Sequence, residues 1–92
     1  MKELYDVYLY DNANIMPEKI NQTYLQNHPH VYPNIKVTGL SYNDAWDIMK
    51  RHYEQSSTTD AVLVPHDEPI SSFAPYLEAE TFSVISGDDF IR

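Results

Sequence analysis

The side chains best suited to chemistry follow apolar runs that are predicted to form strands. His66, Asp67 and Glu68 come directly after the run AVLV, and Asp11 comes after the run LYDVYLY. An imidazole together with carboxylates binds Mg²⁺ or Mn²⁺ and performs general acid–base catalysis. In an open parallel sheet the carboxyl ends of the strands meet at one edge, where ligands bind. The sequence therefore offers an enzyme hypothesis, in which these four residues form one rim.

The same residues also have an ordinary structural explanation. Turns after strands are polar in most folds, and Asp67 stands where it can cap a helix that begins near Pro69. The four residues lack the spacing of a known ligand set, and the chain has no cysteine for a thiolate site or a disulfide. The two glycines, Gly39 and Gly87, are isolated, so no phosphate-binding loop is predicted. The enzyme hypothesis is the second choice, and we predict no catalytic site, metal or cofactor.

The distribution of charge favours a binding function. The chain contains 14 acidic and 6 basic residues, with a formal net charge of −8. No Lys or Arg occurs between His52 and Ile91. The acids of that stretch are Glu54, Asp60, Asp67, Glu68, Glu78, Glu80, Asp88 and Asp89. This argues against direct binding to nucleic acid or to an anionic membrane, and it favours a partner with a basic surface.

The aromatic content supports the same function. Eight tyrosines provide large apolar faces with polar tips, which serve as anchors in protein interfaces. We therefore predict a small acidic protein–protein interaction module without enzymatic activity. A narrower hypothesis is an inhibitor from a phage or mobile element, which covers the basic channel of a nucleic-acid-binding protein by imitating nucleic acid. The predicted contact residues are Asp44, Asp47, Glu54, Asp67, Glu68, Tyr76, Asp88 and Asp89.

Seven secondary-structure elements are predicted to position these residues, in the order β-α-β-α-β-α-β. Strands are predicted over 4–10, 34–40, 61–64 and 81–86, and helices over 16–27, 41–54 and, with an interruption, 69–77. The alternation predicts one α/β domain, residues 1–92, with a mostly parallel four-stranded sheet; a two-layer α+β fold is the alternative. The continuous apolar run AVLV favours a strand covered on both faces, as strands of parallel sheets are.

The helix over 41–54 has the clearest local signals. Ser41 followed by Asp44 is typical of a capping box. Tyr42 and Tyr53 fall on the same helical stripe as the apolar residues between them, so both are predicted to be buried.

The amino-terminal run shows no targeting signal. Asp6 interrupts it, whereas a membrane span needs about 20 apolar residues. We expect a cytoplasmic protein; the partner, the oligomeric state and the strand order do not follow from the sequence.

Overall fold

The computed structural model describes residues 3–15 and 32–92, whose four strands form one mixed sheet. The strands are β1 (Tyr5–Asp11), β2 (Ile35–Leu40), β3 (Thr59–Pro65) and β4 (Ser83–Ser86). Their order in the sheet is β3-β1-β2-β4. β1 is antiparallel to both β2 and β3, and β2 is parallel to β4. The α/β class is confirmed, and the prediction of a mostly parallel sheet is wrong. The helix predicted over 16–27 lies outside the described residues.

The burial of β3 on both faces explains why a parallel sheet was wrongly predicted. Ala61 and Leu63 pack in the apolar cluster on one face of the sheet, and Val62 and Val64 pack in the cluster on the other. The apolar run therefore does reflect burial on both faces, as predicted. Burial on two faces restricts which side chains fit, but it does not determine the direction of the neighbouring strand.

One face of the sheet is covered by helix α2 (Tyr42–Tyr53), which packs on β1 and β3. Ser41 caps it as predicted, because its Oγ accepts a hydrogen bond from the backbone N–H of Asp44 at 3.3 Å. The buried residues of α2 are Ala45, Ile48, Met49 and His52. Two short helices, α1 (Asn12–Ile15) and α3 (Gly87–Ile91), follow β1 and β4. No helix within the described ranges has the length and hydropathy of a membrane-spanning segment.

The opposite face is covered by two 3₁₀ turns, Ile70–Ser72 and Pro75–Leu77, where an interrupted helix is predicted. Leu77 and Ala74 pack there against the side chains of β1 and β3 that point to this face. Pro75 begins the second turn, since its ring cannot continue a helix. The cap predicted for Asp67 is wrong, because Pro69 occupies the cap position of the first turn, without a side-chain hydrogen bond.

A β-bulge interrupts the pairing of β1 with β2. The register shifts between Tyr5 and Val7, opposite Gly39, which has a φ of +70°. Glycine adopts this conformation without the steric cost that other residues pay. The backbone N–H of Gly39 thereby donates to Asp6 Oδ1 at 3.1 Å. The bulge thus holds an acidic side chain inside the sheet.

Candidate functional site

The structure does not assemble the predicted catalytic rim. Asp11 pairs with Thr59 at the start of β3, whereas His66 follows Pro65 at its end. A strand of seven residues spans about 20 Å, so the antiparallel pairing places Asp11 and His66 at opposite ends of β3. Asp11 is buried and accepts a hydrogen bond from Thr58 Oγ1 at 3.2 Å. Among the residues that the structure describes, no three His, Asp or Glu side chains form a group able to hold a metal ion.

His66 instead pairs with Asp6, a residue that sequence reasoning did not select. His66 Nδ1 lies 2.8 Å from Asp6 Oδ1, and Lys36 Nζ lies 3.9 Å from Oδ2. The Asp6 side chain is 5% exposed and that of His66 is 48% exposed. The hydrogen bond to Asp6 raises the pKa of His66 above its ordinary value. This contact links the turn after β3 to β1. The two residues are 60 positions apart in the chain, so no local sequence pattern could predict it.

The largest correction concerns α2, whose outer surface carries exposed aromatic residues. Tyr42, Trp46 and Tyr53 are 51%, 46% and 44% exposed. They are spaced by four and seven residues, so they lie along one side of the helix, and we call them the aromatic stripe. The prediction that Tyr42 and Tyr53 are buried is therefore wrong, and Trp46 was missed. The signal available in the sequence was the spacing of the single Trp from Tyr42.

Aromatic contacts hold the amino-terminal part of this stripe in place. The rings of Tyr42 and Trp46 meet edge to face at 6.2 Å, and Tyr5 packs edge to face on Tyr42 at 5.5 Å. Such pairs contribute about 0.5–1.5 kcal/mol beyond the area that they bury. The exposed rings are therefore positioned before any partner binds.

Hydrogen bonds hold the carboxy-terminal part. The Tyr53 hydroxyl donates to Ala61 O at 3.2 Å and lies 3.4 Å from Asp60 Oδ1. The other oxygen of Asp60 accepts from the Tyr10 hydroxyl at 3.3 Å, which lies 3.2 Å from the hydroxyl of Tyr76. Burial, reinforced by the Asp60 carboxylate, raises the pKa of Tyr10 and of Tyr53, so both phenols remain neutral donors. Tyr76 is 59% exposed, so this network reaches a second exposed ring.

The predicted contact residues are all exposed, but they fall into separate groups. Asp44 and Asp47 lie on α2, and Glu54 lies at its end. Asp47, Lys50 and Glu54 border a shallow depression together with Trp46 and Tyr53. The pair Asp67–Glu68 lies in the turn after β3, and the pair Asp88–Asp89 lies in the first turn of α3. Residues 42–54 carry three acids and two bases, a formal charge of −1. Most of the negative charge therefore lies away from α2.

A cavity of about 450 Å³ lies between α2 and α3. The residues that line it include the apolar Ile35, Ile48 and Phe90 and the charged Asp44, Asp47 and Arg51. Its volume falls within the range of small-molecule pockets. Because both acidic and basic side chains line the cavity, its charge does not indicate one class of ligand.

No family model, curated protein or solved structure matches this chain.

Proposed function

We propose that this protein is a protein-binding module, which docks the aromatic stripe of α2 on a partner with a basic surface. The observation that carries the proposal is the half-exposure of Tyr42, Trp46 and Tyr53 on one side of one helix. Trp and Tyr are enriched among the residues that dominate binding energy, because they bury a large area at a small entropic cost. Since contacts within the protein already fix these rings, docking orders few additional side chains.

The charge of the chain supports a basic partner. The net charge of −8 attracts a basic surface over a range set by the ionic strength, and it accelerates the encounter. Asp47, Lys50 and Glu54 border the stripe and provide the polar rim that surrounds the apolar centre of a typical interface. Aromatic anchors then account for the lifetime of the complex, and the acids account for its rate of formation.

An inhibitor of a nucleic-acid-binding protein is the narrower form of this proposal. Measured along the helix axis, at 1.5 Å per residue, Asp44 and Asp47 are about 4.5 Å apart, and Asp47 and Glu54 are about 10.5 Å apart. A DNA duplex carries one charge per roughly 1.7 Å, and Lys50 and Arg51 stand between the acids of α2. Inhibition would therefore work through steric coverage of a basic channel by a docked acidic protein of the phage or mobile-element type. Imitation of the phosphate row by α2 would contribute little.

The test is quantitative capture of partners from host lysate, at about 50 and about 500 mM salt, with identification by mass spectrometry. The variant Trp46→Ala should lose the partner, since truncating a central anchor costs about 2 kcal/mol, or about 30-fold in Kd. Phe73→Ala is the matched control, because Phe73 is 49% exposed and lies outside the stripe. High salt should slow association of the purified pair.

Two results would contradict the proposal. One is a specific partner that Trp46→Ala and Tyr42→Ala retain at full affinity. The other is an equal loss of the partner in Phe73→Ala. Association kinetics that do not change with salt would remove the electrostatic part and leave the aromatic part standing.

A further inference from the structure

The two edges of the sheet differ in how their outward backbone groups are satisfied. At the β3 edge, hydrogen bonds from His66 N to Leu4 O (2.9 Å) and from Asn12 N to Thr58 O (3.0 Å) bracket the ladder with β1. Hydrogen-bonded pairs alternate along an antiparallel ladder, so every second residue of β3 points its backbone groups away from β1. The outward residues are Thr59, Ala61, Leu63 and Pro65.

Both ends of this β3 edge are already occupied, and Leu63 between them is the outward residue whose backbone groups have no described partner. Ala61 O accepts from the Tyr53 hydroxyl at 3.2 Å, and Ala61 N donates to Asp60 Oδ1 at 2.8 Å. Pro65 has no N–H, and its carbonyl accepts from Glu68 N at 2.9 Å. Satisfied groups and a proline are the means by which proteins prevent another strand from pairing with an edge. An incoming strand would therefore displace existing hydrogen bonds at β3.

The β4 edge has no such protection among the described residues. Ser83 N donates to Asn34 O at 3.0 Å, so Ser83 and, two positions later, Ile85 direct their backbone groups toward β2. The N–H and C=O of Val84 consequently point away from the sheet, where no described residue pairs with them. The Val84 side chain is also 67% exposed, the highest value among the large apolar residues of the described ranges. An added strand would find one donor and one acceptor beside an uncovered apolar side chain.

Charge determines which kind of strand fits this edge. The exposed acids before and after β4 are Glu78, Asp88 and Asp89, with the partly exposed Glu80. The cation in register with Val84 is Lys36, whose side chain lies on the same face of the sheet and leans toward β1. Lys36 Nζ lies 3.9 Å from Asp6 Oδ2 and 5.2 Å from the centre of the Tyr8 ring. The uncovered Val84 is therefore preceded and followed in the chain by acids, and the cation beside it is already held by Asp6.

A second copy of the chain is disfavoured at this edge. Pairing of β4 with β4 would place the acids of one copy against those of the other, and like charges destabilise such a contact. A strand with basic residues on both sides of an apolar centre makes the opposite, favourable contact. We propose that the β4 edge binds an extended basic segment of a partner protein, which pairs with Val84 as a fifth strand. This surface is separate from the aromatic stripe, which lies beside the β3 edge.

The probe for this proposal is a capped seven-residue peptide of alternating Lys and Val, with binding followed by fluorescence anisotropy. Val84→Pro removes the outward N–H and places a ring at the edge, while it leaves the inward bonds of Ser83 and Ile85 intact. Val84→Thr is the matched control, because it retains both backbone groups and a β-branched side chain. The wild type and Val84→Thr should bind alike, and Val84→Pro should bind at least about tenfold more weakly. A peptide with Glu in place of Lys should not bind.

A change in the peptide tests the same contact without altering the protein. Methylation of every backbone nitrogen of the peptide removes the donors on both of its edges and keeps every charge, so it should abolish binding to the wild type. If Val84→Pro fails to fold, as judged by circular dichroism, this peptide decides the question. Equal binding of the methylated peptide, equal binding by a folded Val84→Pro, or no binding by the wild type would overturn the inference. A concentration-dependent dimer that Val84→Pro abolishes would also overturn it, in favour of pairing between two copies.

Discussion

Gly87 lies where β4 passes into α3, and the structure leaves no room there for a side chain. A Cβ at this position would lie 2.6 Å from Leu40 Cδ2 and 3.0 Å from the carbonyl oxygen of Thr38. Leu40 is 2% exposed and packed in the core, so its side chain has no free space to enter. We expect Gly87→Ala to push Leu40 out of its rotamer or to move α3 away from β2.

The expected magnitude combines two opposing effects. Overpacking of a core costs about 1–3 kcal/mol, whereas alanine in a helix gains up to about 1 kcal/mol over glycine. The net loss in the free energy of unfolding is then about 1–2 kcal/mol. For a domain of this size, that loss lowers Tm by about 5–10 °C. The variant should therefore fold but melt earlier.

Leu40→Val supplies the test of this steric reasoning, since it removes Cδ2 and with it the shortest contact. In the Leu40→Val background, Gly87→Ala should cost less than half of what it costs in the wild type. This corresponds to a coupling energy of about 1 kcal/mol. Urea and thermal unfolding of the four proteins, followed by circular dichroism, measure the coupling. Additive effects, within about 0.3 kcal/mol, would refute the contact with Leu40 as the cause.

Titration and core packing provide three other predictions. The hydrogen bond to Asp6 raises the pKa of His66 above its ordinary value of 6.5, so the stability from this pair is complete below pH 6.5 and is lost as the pH rises through the raised pKa. In urea unfolding, His66→Gln should therefore destabilise more at pH 5 than at pH 8; an equal effect at both would contradict the pairing. Tyr10→Phe should cost about 1 kcal/mol in the free energy of unfolding. Because burial raises the pKa of Tyr10, the absorbance of the folded protein at 295 nm should rise equally near pH 10 in the wild type and in Tyr10→Phe; a smaller rise in the variant would contradict the raised pKa. Leu77 is 1% exposed, so Leu77→Ala should cost about 2–5 kcal/mol in urea unfolding, and a loss below about 1 kcal/mol would show that the 3₁₀ turns do not close the core.

Local patterns in the sequence were sufficient for most of the secondary structure. Alternation along β1 places Val7 and Leu9 on one face and Tyr8 and Tyr10 on the other, as the structure confirms. Ser41 marks the start of α2 through a contact with a residue three positions away. These features depend on neighbours within one or two turns of chain, so a single sequence contains the information needed to predict them.

The site depended on contacts between distant parts of the chain. Antiparallel pairing of β1 with β3 is a contact across the whole fold, and it separates Asp11 from His66 while joining His66 to Asp6. The exposure of Trp46 likewise depends on where α2 lies on the sheet.

The sequence by itself determined the approximate positions of the four strands and of α2, the acidity of the chain and the two-sided burial of β3. The tertiary structure decided the strand directions, the exposed aromatic stripe and the difference between the two sheet edges. The physical reason is that periodicity and capping act within a few residues, whereas strand pairing and solvent exposure depend on packing between segments that are far apart in the chain.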